Sequence, residues 1–407
     1  MRLDYISRAL ESKILSASDQ FPVLILTGPR QTGKTTLLLR LKDEARGYVS
    51  LDSLSERILA HEDPELFLQR HPAPLIIDEL QYAPELLPII KIRSDAERKP
   101  GSYWLTGSQQ FSLMKRVTES LAGRAAIITL NGLSEREARR TRSHGSPFIP
   151  RSVQQPGDFP SLDEPALFHR IFSGSYPALV SGAVNDTALF YGSYVQTYLE
   201  RDLRELSQVG DLASFYVFLK VLAGRTGTIL NLSEISRDCA ISVPTVKRWI
   251  SILEAGSLIY LLRPYASNRG SRLIKSPKLY FIDTGLCSHL AGYSSPETLA
   301  AGPLRGAIFE TWCLSEILKS WWYDLKEPPL FYYRDRDGAE IDLVIETDGT
   351  LFPVEMKLGA SPRKDWVRHF AALRRLSPRV GPGAVLCLTD KAFPIDRETV
   401  ALPASSI

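Results

Sequence analysis

Gly28-Pro29-Arg30-Gln31-Thr32-Gly33-Lys34-Thr35 directly follows the apolar run Val23-Leu24-Ile25-Leu26 and reads G-x-x-x-x-G-K-T. These residue types in this order cradle phosphate. The glycines let backbone N–H groups close around anionic oxygens, and a helix running on through Thr36 turns its positive end toward them. Lys34 would reach the β- and γ-phosphates and Thr35 would ligate Mg²⁺, so the stretch from Gly28 to Thr36 is the expected ATP-binding loop. Pro74-Leu75-Ile76-Ile77-Asp78-Glu79 ends a second buried-strand pattern in two acids. Asp78 suits the magnesium shell, and Glu79 would orient the water that attacks the γ-phosphate.

Two further groups complete that chemistry. The strand Ser102-Tyr103-Trp104-Leu105 leads into Thr106-Gly107-Ser108-Gln109-Gln110, where Ser108 is the first choice for a side chain sensing the γ-phosphate or the lytic water. Arg124, in Ser120-Leu121-Ala122-Gly123-Arg124, precedes the apolar stretch 125–130. It could stabilise transition-state charge in its own or a neighbouring subunit, or be a surface arginine in an ion pair.

The residues quoted, together with Tyr198-Leu199-Glu200-Arg201-Asp202, resemble a large group of bacterial and archaeal ATPases of the AAA superfamily whose C-terminal half carries a nuclease-like domain. The resemblance covers nearly the whole chain. It implies ATP binding and hydrolysis, not a settled biological task. Gln109 departs from the pattern, standing where a second serine is usual.

The last third holds a second constellation. Gly306-Ala307-Ile308-Phe309-Glu310 opens an amphipathic helix through Leu318, and Phe331-Tyr332-Tyr333-Arg334 and residues 340–346 look like neighbouring strands. After an Asp348-Gly349 turn comes Leu351-Phe352-Pro353-Val354-Glu355-Met356-Lys357. This resembles the PD-(D/E)XK nuclease core, with Asp342 and Glu355 as metal ligands, Lys357 positioning water and Glu310 as an auxiliary acid. Carboxylates on adjacent strands can share Mg²⁺ that activates water against a phosphodiester. Alternation puts Glu355 and Lys357 on one face of their strand. The same fold also serves as a binding scaffold.

The elements that must position these groups divide the chain into a P-loop α/β domain (1–138), a linker (139–161), a helical region (162–210), a winged-helix module (211–265) and a restriction-endonuclease-like α/β domain (300–407). Residues 139–161 mix arginines with prolines and glycines, which suits an exposed connection or a basic contact for nucleic acid. Residues 190–208 have helical periodicity, with Arg201, Asp202 and Arg204 opposite an apolar stripe as a solvated face or an interface. In the module, helices near 212–223, 233–239 and 243–254 precede residues 257–264 as a strand pair or wing. Thr245, Lys247, Arg248 and Arg263 would face DNA if the module binds it; otherwise the module packs domains or mediates oligomers.

Composition sets the outer limits. The 407 residues suit about two to four domains. Net charge is only +3, so any nucleic-acid face must be local. Cys239, Cys287, Cys313 and Cys387 lie far apart without C-x-x-C spacing, and the six histidines show no metal-binding spacing. These features, with no signal-peptide pattern and no long apolar run, point to a cytoplasmic protein that does not span a membrane. ATP, Mg²⁺ and DNA are the expected partners, with a homo-oligomer as an open option. The competing expectation is a nucleotide-controlled switch that regulates a protein partner.

Overall fold

The computed structural model of the chain describes residues 5–107, 120–141, 146–151, 162–197, 212–266 and 276–407. Five short apolar runs form its first sheet: β1 (Val23–Thr27), β2 (Gly47–Ser50), β3 (Leu75–Asp78), β4 (Tyr103–Thr106) and β5 (Ala125–Thr129). They lie in the order β2-β3-β4-β1-β5, and every pairing is parallel. The sheet is covered on both faces, as near-continuous apolar strands require. Val23, Ile25, Ile77 and Leu105 join one hydrophobic cluster, whereas Leu24, Leu26, Ile76 and Trp104 join another on the opposite face. The parallel arrangement brings the C-terminal ends of β1, β3 and β4 together: the phosphate loop follows β1, Asp78 ends β3 with Glu79 after it, and Thr106 ends β4.

Past residue 162 a different core takes over, running from Leu167 to Ile407. It crosses the expected boundaries at 210 and 265, because one sheet joins the two sides. Its strands are β6 (Thr228–Ile229), β7 (Ile259–Pro264), β8 (Lys278–Phe281), β9 (Leu330–Arg334), β10 (Glu340–Thr347), β11 (Thr350–Met356), β12 (Gly383–Cys387), β13 (Phe393–Pro394) and β14 (Thr399–Pro403). Their order is β13-β14-β12-β11-β10-β9-β7-β8-β6. The join is the short parallel pairing of β7 with β9, at Arg263–Phe331 and Pro264–Tyr332.

Residues 257–264 hold one strand, not a strand pair. The antiparallel partner of β7 is β8, which comes after a segment outside the described residues. A pairing partner that distant in sequence leaves no hairpin signature for a local reading. The order here is helix Leu212–Ala223, β6, helix Leu232–Asp238, helix Val243–Ala255, β7 and β8, with β6 and β7 both antiparallel to β8. Ser242 caps the last of these helices by accepting from the Thr245 N–H at 3.2 Å.

The helix Arg305–Trp322 is buried along most of its length from Ile308 to Trp321, and is not the one-sided helix its sequence suggests. It has no solvent face because it is sandwiched. Lys319 donates to the Leu133 carbonyl (3.0 Å), and Glu316 accepts from the Glu135 N–H (2.8 Å), tying it to the end of the first domain. Its other side packs on β8 and β11. The described part of the linker is also packed: Pro147 and Pro150 are buried, and the Phe148 N–H reaches the Ser320 hydroxyl at 2.9 Å. Among its described residues Arg140, Ser146 and Arg151 are exposed, whereas apolar Phe148 and Ile149 find the core beside this helix.

Candidate functional site

The phosphate loop is built on two left-handed glycines. Gly28 has φ 137°, and a Cβ there would lie 2.2 Å from the Leu130 carbonyl oxygen, so only glycine fits. Gly33, at φ 88°, is the N-cap of the helix Lys34–Leu41, and a Cβ there would meet only a proline carbon, at 3.9 Å. Lys34 donates its ammonium to the carbonyls of Gly28 (3.0 Å) and Pro29 (2.8 Å), and Thr32 bonds the Pro29 carbonyl at 2.9 Å. Pro29 and Thr32 are buried, Gln31 and Thr36 are exposed, and Arg30 and Thr35 are half-buried.

Asp78 is the centre of a hydroxyl cluster. Thr35 donates to its Oδ1 at 2.8 Å, Tyr48 to its Oδ2 at 3.1 Å, and Thr106 also reaches Oδ1. Thr106 accepts from the Glu79 N–H at 3.1 Å, so one threonine holds both members of the acid pair. Glu79 has φ 60°, a conformation costly for a residue with a Cβ, and its carboxylate bonds Gln81. Burial and the neighbouring Asp78 push the Tyr48 phenol up to about 12. Hydroxyl and carboxylate oxygens are the donors a hard cation prefers, so Thr35 and Asp78 fit Mg²⁺ and the loop fits a nucleotide's phosphates.

Thr106 and Tyr48 did not stand out in the sequence. Thr106 lies in the quoted strand end two residues before the expected sensor, on a strand buried throughout, so no alternation marks it. Tyr48 lies on a short half-exposed strand with no motif. Ser108 and Gln109 fall outside the described residues, as do Arg201, Asp202 and Arg204.

Arg124 is not brought to this site within its own chain. Its carbonyl bonds the Val23 N–H, so it sits where β1 begins, at the far end of the sheet from the loop that follows Thr27. Five strand residues at about 3.3 Å each separate the two ends. Arg124 instead grips the Asp95 carboxylate through Nε (2.5 Å) and Nη2 (3.0 Å) on the surface.

The residues of the last third do converge in space. The Lys357 ammonium lies 2.9 Å from Asp342 Oδ2 and also contacts Glu355, and the Met356 N–H donates to Asp342 Oδ2 at 2.9 Å. Burial and the neighbouring Asp342 push the Glu355 carboxyl up. Burial also opposes ionisation of Asp342, but Lys357, Glu355, Lys278 and the Met356 N–H outweigh it and hold Asp342 below its ordinary value. Glu310 approaches from the helix Arg305–Trp322, where burial and Asp342 raise its pKa. Tyr280 donates to it at 2.5 Å, and Lys278 lies 3.6 Å away. Lys278 and Tyr280 come from β8, outside the segment expected to form this site. Among the described residues no three His, Cys, Asp or Glu side chains are gathered to hold a metal ion. That pair still offers hard oxygens of the kind Mg²⁺ takes, with water completing the shell.

In the module, Lys247, Arg248 and Arg263 are exposed, while Thr245 is half-buried and bonded to Ser242 at 2.8 Å. Cys239, Cys287, Cys313 and Cys387 are buried and free of disulfides. No described helix is long and apolar enough to cross a membrane.

With this geometry in view, the comparisons with known proteins divide the chain three ways. Residues 20–139 match the AAA domain family, residues 164–297 a domain of unknown function (DUF8612), and residues 305–407 a second domain of unknown function (DUF4143). The first third is therefore an AAA-type P-loop domain. An uncharacterized protein of Mycobacterium tuberculosis is 29% identical over 98% of this chain and 84% of its own length. One of Haemophilus influenzae is 24% identical over 72% of this chain and 73% of its own length. Among solved structures, a Walker-type ATPase of Pyrococcus abyssi aligns over 71% of this chain and 97% of its own, at 17% identity and a TM-score of 0.43.

Proposed function

We propose that the chain is an Mg²⁺-dependent ATPase that acts with DNA, and that its last third is a nuclease-like domain. The observation that carries the ATPase reading is the Thr35–Asp78–Thr106 cluster beside the glycine-built loop, in a domain of AAA type. Bound Mg²⁺ would neutralise phosphate charge, held by Thr35 and Asp78. Lys34 would leave its loop carbonyls for the phosphates. Glu79, whose backbone N–H is held by Thr106 and whose carboxylate bonds Gln81, would orient the attacking water, with Ser108 as the proposed sensor. Arg124 can act only toward a neighbouring subunit, in a homo-oligomer.

For DNA, the support is the three-helix unit with its antiparallel strands, which has the order of a winged helix and exposes Lys247 and Arg248 on its last helix. The nuclease-like reading rests on Lys357 lying between Asp342 and Glu355 on adjacent strands. A divalent cation on that pair would activate water and neutralise a phosphodiester. The same contact also favours a second reading, in which the lysine closes the acid pair and the domain is a binding scaffold in a nucleotide-controlled switch.

ATP turnover measured with and without single-stranded, duplex and branched DNA separates these readings. Stimulation by DNA, lost in a Lys247→Ala, Arg248→Ala double variant along with about one to two units of log–log salt slope, is the expected result. Equal turnover without DNA and with every DNA would favour the switch.

A further inference from the structure

Arg8 precedes the first helix, and its guanidinium is enclosed, 4% exposed. Its Nε donates to Glu137 Oε1 at 3.0 Å and its Nη1 to the Thr32 carbonyl at 2.9 Å. Nη2 reaches the carbonyls of Asn131 (2.7 Å) and Gly132 (3.3 Å) and the Tyr323 hydroxyl (3.2 Å). Burying a guanidinium is unfavourable unless charge and donors are matched, and here Glu137 and four oxygens match them.

Thr32 belongs to the phosphate loop. In a planar trans peptide the carbonyl and the following N–H point in opposite directions. Arg8 draws the Thr32 carbonyl back toward the protein, which leaves the Gly33 N–H directed the other way, toward the phosphate cradle. The loop needs such a hold, since Gln31, next to Thr32, has φ 61°, a conformation costly for a residue with a Cβ.

Resting on the P-loop reading, we propose that Arg8 is a positioning residue of the nucleotide site, aiming the Gly33 N–H at the phosphate chain of a nucleoside di- or triphosphate. Tyr323, from the last third, holds Arg8 in place. It ends the helix Arg305–Trp322 and donates its own hydroxyl to the Gly132 carbonyl. The adjoining Asp324 pairs with Lys13 at 2.8 Å, which keeps this helix end against the first domain. The residue just past the helix that carries Glu310 thus holds the arginine that bonds the phosphate loop.

The test uses the full chain with Mg²⁺ and a fluorescent ATP analogue, comparing Arg8→Lys and Tyr323→Phe with wild type. The expected result is an affinity about tenfold weaker for Arg8→Lys and about threefold weaker for Tyr323→Phe, because a mis-aimed N–H loses a charge-assisted bond. KM for ATP should rise by similar factors with kcat within about twofold, since this contact grips ground and transition states alike. Competition by adenosine, which has no phosphate, should be unchanged. If Arg8→Lys fails to fold, Tyr323→Phe, which removes one oxygen, decides alone. Wild-type ATP affinity in the folded variants overturns the inference, as does an equal loss for adenosine. Failure of wild type to bind ATP, or a Lys34→Ala variant that binds equally well, would bring down the P-loop reading and this inference with it.

Discussion

The two acid-bearing sites of this chain hold their carboxylates in opposite ways. Asp78 is surrounded by the hydroxyls of Thr35, Tyr48 and Thr106, whereas Asp342 and Glu355 are bridged by the Lys357 ammonium. A hydroxyl keeps a lone pair for a cation and can rotate, so under the proposed function the first cluster would accept Mg²⁺ with little change. An ammonium supplies the positive charge itself, so a cation entering the second cluster must displace it. The first site is also built from segments that follow adjacent strand ends. The second draws on a helix, two strands of its own domain and β8, which comes before that domain in the chain.

The largest effect that would break this contrast is on the first site. Lys34→Ala should weaken Mg-ATP binding by about a hundredfold or more, through loss of phosphate charge complementarity. Glu79→Gln should keep binding and lose turnover by about a hundredfold, the range for a positioned base. Analogue titration and phosphate release measure the two, and unchanged turnover in Glu79→Gln would mean the water is oriented by another group.

Next in size is the second site. Glu355→Ala should abolish Mn²⁺-dependent DNA cleavage while ATP turnover stays within about twofold of wild type, a factor that corresponds to less than about 0.5 kcal/mol in the barrier. If wild type cuts no DNA with Mg²⁺ or Mn²⁺, Lys357 closes the pair and the domain is a scaffold.

A smaller effect sharpens the difference in metal-free protein. Glu355 has a folded pKa raised from its ordinary 4.5, so its contribution to stability is present below about pH 4.5 and is lost as pH rises through the folded value. Glu355→Gln does not titrate and leaves Lys357 its bond to Asp342. Its melting temperature should therefore gain on wild type as pH is raised, read by calorimetry in EDTA. A difference that is flat with pH would show that Glu355 ionises alike in folded and unfolded chains.

The smallest expected effect is at Arg124. Because it pairs with Asp95 far from the loop, Arg124→Ala should leave turnover of a monomeric preparation within about twofold, less than the loss of an arginine finger. A larger loss in a proven monomer would contradict the strand-end placement, whereas a loss that appears only as protein concentration rises would mark a role in trans.

Much of the first domain was legible because its signals are local. The run Val23-Leu24-Ile25-Leu26, the two loop glycines and the Asp78-Glu79 pair each occupy a few consecutive residues, and a parallel sheet lines up the ends of its strands. The turn Asp348-Gly349 was legible for the same reason, with both residues at positive φ between β10 and β11. By contrast, the pairing of β7 with β8 and β9 depends on partners far along the chain, and so does the burial of the helix Arg305–Trp322 on all sides.

The sequence by itself determined which residues could bind phosphate and which acids stand beside a lysine, because glycine conformation, charge and strand alternation are properties of a few neighbouring positions. Only the tertiary structure decided that Thr106 and Tyr48 close on Asp78, that Lys278 and Tyr280 reach Glu310, that Arg124 lies at the wrong end of the sheet, and that Arg8 and Tyr323 meet behind the phosphate loop. Those contacts join segments far apart in the chain, and their geometry is set by how the sheets and the central helix pack.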